Sequence, residues 1–147
     1  MTNPITYTEG DTEKIAKLFI GHKIVKAEQG TFPIPGAEDR YIRNAEGRLT
    51  LDDGTELYLT GNDGGCACSA GCYPLAEVAS VDNVITSAHV NADPDGDDDR
   101  GAGVYQIFVF ADAKAINAAT FKGSDGNGYY GTGFSLTVVS PLAEASA

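Results

Sequence analysis

All three cysteines of this 147-residue chain lie within one glycine-rich stretch, GNDGGCACSAGCYPL, at residues 61–75. Cys66, Cys68 and Cys72 have the close spacing of thiolate ligands in structural zinc sites. Either His89 on the following predicted strand or Asp63 would supply a fourth ligand. Such sites usually contain a second close pair of ligands, which this sequence lacks, and free cysteine also packs well as a small buried hydrophobe. The cysteine spacing is compatible with a zinc site, but the missing second pair of ligands and the small residues around the cysteines favour a compact turn.

The backbone of this stretch is better suited to recognition than its side chains are. Its glycines and other small residues permit positive φ angles and a close approach to another molecule, and successive amides in such a turn can bind an anion. A second glycine-rich stretch, GNGYYGTG at residues 126–133, adds two adjacent tyrosines, a residue type that is enriched at recognition surfaces. We therefore predict a binding site built from both stretches. Its candidate residues are Asn62, Gly64, Gly65, Cys66, Cys68, Asn127, Tyr129 and Tyr130.

No catalytic site can be assembled from the sequence pattern. A cysteine nucleophile would need His22 or His89 beside a thiol, and no motif brings either imidazole to one. The aspartate run at residues 93–99 resembles half of a calcium-binding loop, but Asp98 occupies the position that requires glycine and Val104 the position that requires glutamate. We interpret the run as a solvated loop, and we predict a protein that is not an enzyme and has no cofactor.

The charge of the chain restricts its partners. Ten Lys and Arg residues against twenty-one Asp and Glu residues give a formal net charge of −11, with a pI of about 4.3. Direct binding to nucleic acid or to an anionic membrane is therefore disfavoured, whereas a basic protein surface remains a suitable partner. The first residues lack the pattern of a secretory signal, and no stretch approaches the ~18 consecutive apolar residues of a membrane span. We expect a cytoplasmic protein, and three closely spaced cysteines fit a reducing compartment.

The elements that must position these stretches form an α+β domain dominated by an antiparallel sheet. Ile15, Leu18 and Phe19 have helical spacing after a cap at Asp11 or Thr12, and period-two alternation predicts about six to seven strands. Leucines alternate on both sides of Asp53-Gly54 in RLTLDDGTELYLTG, which predicts a hairpin. One or two short helices are expected in total, the second being a possible helical turn in PLAEVASV.

The domain boundaries follow from the same patterns. Residues 1–10 are polar and are predicted to form a flexible arm, residues 11–140 a single domain, and residues 141–147 a frayed tail. In VYQIFVFAD, the residues Tyr105, Ile107 and Val109 share one face, and the opposite face is also apolar. This strand is therefore expected in the middle of a sheet or under a helix.

The order of five segments resembles a small uncharacterised domain family of actinobacteria and their bacteriophages. The segments are LTLDDGTELYLTG, GGCACSAG, SVDNVIT, YQIFVFAD and TFKGSDGNGYYGTGFSL, and the resemblance covers about residues 13–139. In that family a turn with a close cysteine pair follows the strand, matched here by Cys66 and Cys68, and the last strand carries a Gly-Tyr-Tyr element, matched by Tyr129 and Tyr130. Cys72 is not part of the pattern. The resemblance implies a phage or actinobacterial origin and an intracellular setting, and it implies no activity.

From these observations we expect a non-catalytic interaction module. The leading hypothesis is a phage-encoded accessory protein that acts in the host cytoplasm and binds a host protein. One alternative is a binder that sequesters a small molecule or nucleotide between the two glycine-rich stretches. Another is a virion-associated subunit that self-assembles through an open sheet edge. The sequence leaves the oligomeric state open.

Overall fold

A computed structural model describes residues 5–8, 11–35, 44–61, 75–93, 102–124 and 134–140. Nine strands and one helix lie in these ranges. In chain order they are β1 (Ile5–Thr8), α1 (Thr12–Phe19), β2 (Ile24–Pro33), β3 (Asn44–Leu51), β4 (Glu56–Gly61), β5 (Leu75–Val78), β6 (Ile85–Asp93), β7 (Ala102–Ala111), β8 (Lys114–Ser124) and β9 (Phe134–Val139). The predicted predominance of antiparallel strands is confirmed, and the number of strands exceeds the six to seven expected.

The strands form two antiparallel sheets that share one hydrophobic core. The first sheet has the order β1-β9-β4-β3-β2, and the second has the order β5-β8-β7-β6. Both sheets contribute fully buried side chains to the core. Among them are Leu49, Leu57, Leu59 and Leu136 from the first sheet and Ile107, Val109, Ala119 and Phe121 from the second. Ile15 and Phe19 of α1 join the same core, and the helix packs against β6.

Helix α1 has the predicted apolar face and begins at Thr12 after Asp11, although the Asp11 side chain makes no capping hydrogen bond to the helix. Ile15 and Phe19 are buried and Leu18 is half-buried, so the i, i+3, i+4 spacing does produce an apolar stripe. The Ile15 N–H donates to the Asp11 carbonyl at 2.9 Å, and Gly21 follows the helix with a φ of +87° that favours glycine. Within the described ranges, no helix has the length and apolar character needed to cross a bilayer.

The predicted hairpin joins β3 to β4. The Gly54 N–H donates to the Leu51 carbonyl at 3.0 Å, and the Leu51 N–H donates to the Thr55 carbonyl at 2.9 Å. Residues 52–54 therefore form a three-residue connection in which Gly54 has a φ of +90°. A type I turn followed by a left-handed glycine is a common way to close such a hairpin.

Two segments differ from the expectation. Ile5–Thr8, within the predicted flexible arm, forms β1 and pairs with β9, because its Ile-Thr-Tyr-Thr alternation suits an edge strand. Leu75–Val78, within the suggested helical turn, forms β5 and pairs with β8. Pairing with β8 supplies backbone hydrogen bonds and buries Leu75, and this tertiary pairing outweighs the weak helical preference of the segment.

Strand β7 lies between β6 and β8, as its two apolar faces predicted. Tyr105, Ile107 and Val109 are buried in the core. Phe108 and Phe110 lie half-buried on the opposite face of the sheet. The central position explains why both faces of this strand are apolar.

Candidate functional site

Every residue predicted to form the binding site lies outside the described residues. These residues are Asn62, Gly64, Gly65, Cys66, Cys68, Asn127, Tyr129 and Tyr130, and Cys72 also lies outside. The structure does describe the strand ends on which the two glycine-rich stretches begin and finish. The positions of Gly61, Leu75, Ser124 and Phe134 therefore show where the stretches are attached.

The two stretches are attached side by side. Gly61, the last residue of β4, pairs with Phe134, the first residue of β9, in adjacent antiparallel strands. Gly61, which precedes the cysteine stretch, therefore lies directly beside Phe134, which follows the Gly-Tyr-Tyr stretch. The sequence separates these points by more than seventy positions, and the register of one strand pair joins them.

One carboxylate holds both ends of the cysteine stretch. Glu46 Oε2 accepts the Gly61 N–H at 2.6 Å, and Glu46 Oε1 accepts the Leu75 N–H at 3.0 Å. Glu46 is half-buried on β3. Because Gly61 belongs to the first sheet and Leu75 to the second, this side chain also ties the two sheets together at this end.

Gly47 makes room for the return of the chain at Leu75. A Cβ atom on Gly47 would overlap the Cδ2 atom of Leu75 and would lie 3.1 Å from the carbonyl oxygen of Glu28. Leu75 is 9% exposed, so it has little room to move away. The consecutive residues Glu46 and Gly47 thus fix the backbone and the side chain of Leu75, respectively.

Aromatic side chains support these strand ends from inside the core. The Phe121 and Phe134 rings stack with centroids 4.7 Å apart and an interplanar angle of 1°, and Tyr105 meets Phe134 edge-on at 6.4 Å. Phe121 also pairs with Leu75 in the β5–β8 register. The attachment points of both stretches therefore rest on one packed cluster.

The other long connections are attached at the same end of the fold. Pro33 of β2 pairs with Asn44 of β3, and Ala102 of β7 pairs with Ser124 of β8. The last residues of β2, β4, β6 and β8 and the first residues of β3, β5, β7 and β9 all lie at this end of the fold. We call it the connection end, and it carries the attachment points of residues 36–43, 62–74, 94–101 and 125–133.

The opposite end, which we call the turn end, has short hairpin turns. It carries residues 52–54 between β3 and β4, and residues 112–113 between β7 and β8. Asp112 and Ala113 have φ angles of +52° and +61°, which are typical of a tight two-residue hairpin turn. The asymmetry between long and short connections resembles that of folds that bind through the loops at one end.

A family model described as a domain of unknown function, DUF7448, matches residues 17–136. The chain belongs to the DUF7448 family. The matched range contains both glycine-rich stretches and all four connections of the connection end, and it confirms that this is a domain of an uncharacterised family. No curated protein and no solved structure shows significant similarity to the chain.

In this DUF7448 domain, His89 lies on the outer face of the second sheet. It is exposed near the middle of β6, where its ring stacks on Phe108 at 5.4 Å and on Phe110 at 5.6 Å between centroids. The three thiols that would complete the zinc set of Cys66, Cys68, Cys72 and His89 lie outside the described residues. That set stays a prediction, and the stacking gives His89 a structural role of its own.

A second cluster of polar side chains in the DUF7448 domain was not predicted as a site. His22, from the α1–β2 connection, lies between Asp52 and Asp53 of the β3–β4 turn. The pairing of Ile24 with Leu51 brings these two segments together at the turn end. The sequence indicates His22 only as a base for a thiol, because the strand register that places it beside the Asp-Asp turn is not visible in a local pattern.

Proposed function

We propose that this chain is a non-catalytic interaction module that binds a protein partner through the connection end. The observation that carries the proposal is the pairing of Gly61 with Phe134, because it attaches the two stretches predicted to bind at neighbouring points. Two recognition segments that start side by side can contact one partner together. We propose the same set of contact residues as the sequence does: Asn62, Gly64, Gly65, Cys66, Cys68, Asn127, Tyr129 and Tyr130.

The framework beneath the connection end supports this proposal. Glu46 and the stacked rings of Phe121 and Phe134 fix the attachment points, so the binding segments start from a rigid base. A fixed base lowers the conformational entropy that association must remove. Scaffolds that bind through loops use the same division between a packed sheet framework and variable connections.

The composition of the four connections indicates the chemistry of the partner. Residues 36–43, 62–74, 94–101 and 125–133 contain four of the seven tyrosines and ten of the eighteen glycines, with eight acidic residues against three basic ones. Tyrosine and glycine are typical of adaptable binding loops, and the excess of acidic residues is complementary to a basic protein surface. We propose a basic host protein as the partner of a phage-encoded accessory protein that acts in the host cytoplasm, following the resemblance found in the sequence.

An affinity capture with two variants tests this proposal. The wild-type chain is used as bait in an actinobacterial lysate, beside Tyr129→Ala/Tyr130→Ala and a control, Val25→Ala/Val84→Ala, whose substituted side chains are exposed on the framework. We expect a stoichiometric partner that the wild type and the control both recover, with an affinity that falls as salt is raised. The tyrosine variant should bind at least about tenfold more weakly, as expected when aromatic anchors are removed. Failure to recover any stoichiometric partner, or equal binding by the tyrosine variant, would count against the module.

The adjacency of the two stretches also favours a second candidate, a binder that encloses a small anionic molecule such as a nucleotide between them. Backbone amides of both stretches would supply the hydrogen bonds, although the acidic residues nearby oppose an anion. A thermal-shift panel of nucleotides distinguishes the two candidates, since a ligand at 100 times its dissociation constant adds about 2.7 kcal/mol of stability. A panel without any shift removes this candidate and leaves the protein-binding proposal intact.

A further inference from the structure

The turn end holds a histidine between two carboxylates. His22 Nδ1 lies 2.8 Å from Asp52 Oδ1, and His22 Nε2 lies 3.9 Å from Asp53 Oδ2. The three side chains are about one-third exposed, and their ligating atoms all lie within 4.8 Å of one another. They come from two separate connections, so the group is not simply a run of acidic residues in one loop.

Backbone hydrogen bonds fix both segments of this group. The Asp52 N–H donates to the Lys23 carbonyl at 3.1 Å, and the Ile85 N–H donates to the His22 carbonyl at 2.8 Å. Asp53 Oδ1 accepts the Thr55 N–H at 2.9 Å, which leaves Oδ2 as the oxygen that faces the imidazole. The separation of Nε2 from Oδ2 is therefore set by the fold of the two connections.

The two contacts of the imidazole are chemically different. In neutral His22, Nδ1–H donates to Asp52, and Nε2 then carries a lone pair. An ionised Asp53 carboxylate is also only an acceptor, so in this tautomer Nε2 and Oδ2 are two acceptors 3.9 Å apart. A cation placed between the two atoms would bond to both lone pairs, as a proton on Nε2 would also do.

We propose that His22 Nε2 and Asp53 Oδ2 bind one divalent transition-metal ion of the Zn²⁺ class, with water as the remaining ligands. Zinc bonds to imidazole nitrogen and carboxylate oxygen are about 2.0–2.2 Å long, so one ion spans the two atoms with a small closing movement of the side chains. Imidazole favours Zn²⁺ and its neighbours over Ca²⁺ or Mg²⁺.

Asp52 acts as a positioning residue in this site. A ligating histidine usually donates its other ring N–H to a carboxylate or carbonyl, which fixes the tautomer and the direction of the metal-binding nitrogen. The 2.8 Å contact from Nδ1 to Asp52 supplies that partner. The site lies at the turn end and is independent of the proposed binding function and of the cysteine stretch.

Titration of Zn²⁺ followed by calorimetry tests the site, and the chain with Cys66, Cys68 and Cys72 all changed to serine removes competing thiols. We expect this thiol-free chain to bind about one equivalent, with binding lost on adding His22→Ala and weakened about tenfold or more by Asp53→Asn. Asp52→Asn should weaken binding about tenfold. His89→Ala, which removes the other histidine, is the matched control and should leave binding unchanged.

An NMR measurement on the wild-type chain keeps the test decisive if a variant fails to fold. Zinc coordination at this site should shift the Nε2 resonance of His22, whether or not a second ion at the cysteine set also shifts the ring resonances of His89. The site is overturned if the thiol-free chain binds no Zn²⁺, if His22→Ala binds as tightly as its parent, or if zinc shifts only His89.

Discussion

Glu46 Oε1 lies 3.0 Å from the backbone nitrogen of Leu75 and accepts its N–H, so a side chain of β3 holds the first residue of β5. The other oxygen of the same carboxylate accepts the N–H of Gly61. Hydrogen bonds from backbone amides to a carboxylate are charge-assisted and are stronger than neutral ones. The residues on both sides of the cysteine stretch are therefore tied to one point in the framework.

Substitution of Glu46 should loosen both attachment points. We expect Glu46→Ala to lower the free energy of unfolding by about 2 kcal/mol, because two amides lose a charged acceptor in a half-buried site. Glu46→Gln keeps one acceptor oxygen and should cost about 1 kcal/mol. Urea denaturation measures both values, and the exposed Asp82→Asn serves as a control for the loss of one negative charge.

Hydrogen exchange locates the same effect in the chain. In Glu46→Ala the amides of Gly61 and Leu75 should exchange about tenfold faster or more than in the wild type, and amides in α1 should not change. Equal acceleration throughout the chain, or no acceleration at the two amides, would show that the carboxylate does not anchor them.

Gly47→Ala should destabilise the fold through a clash with Leu75. The added Cβ overlaps Leu75 Cδ2, and overpacking of this kind costs about 1–3 kcal/mol. In a Leu75→Ala background the clash is removed, so the added cost of Gly47→Ala should shrink by about 1 kcal/mol or more. Urea denaturation of the four chains in this double-mutant cycle measures the coupling, and additive costs would contradict the contact.

The stability contributed by Asp52 should depend on pH. The hydrogen bond from His22 is the main cause that holds the pKa of the Asp52 carboxyl below its usual value. A carboxyl with a lowered pKa in the folded state stabilises the fold above its unfolded pKa, about 3.9, and loses that contribution as the pH falls through the folded pKa. Wild type should therefore be more stable than Asp52→Asn at pH 6, and the difference should shrink below about pH 4. Urea denaturation at pH 6, 4, 3 and 2 measures this difference, which would stay constant if the charge of Asp52 contributed nothing.

Local patterns predicted the parts of the fold that local physics determines. The α1 stripe of Ile15 and Phe19, the hairpin around Gly54 and the central strand β7 all follow from spacing and turn chemistry, and the structure confirms them. Strands β1 and β5 are edge strands of only four residues each. Backbone hydrogen bonds to β9 and β8 stabilise an extended conformation that their own sequences do not indicate. Strands that depend on such long-range pairing are difficult to predict from a local window.

The candidate sites also depend on long-range strand pairing that a local sequence pattern does not reveal. The composition of the cysteine and Gly-Tyr-Tyr stretches predicts that they bind a partner, but the pairing of Gly61 with Phe134 is a property of the strand order. No local sequence pattern indicates that the Glu46 carboxylate reaches both Gly61 and Leu75. His22 and the Asp-Asp turn were each visible in the sequence, and only the register of β2 against β3 places them together.

The most direct test of the binding proposal is hydrogen exchange of the wild-type chain with and without its captured partner. We predict that the partner slows exchange in peptides that cover residues 62–74 and 125–133, together with the attached strand ends at Gly61 and Phe134. The turn end, including residues 52–54, should exchange at the same rate in both samples. Protection confined to the turn end, or to the outer face of the second sheet around His89, would contradict the assignment of the connection end as the binding surface.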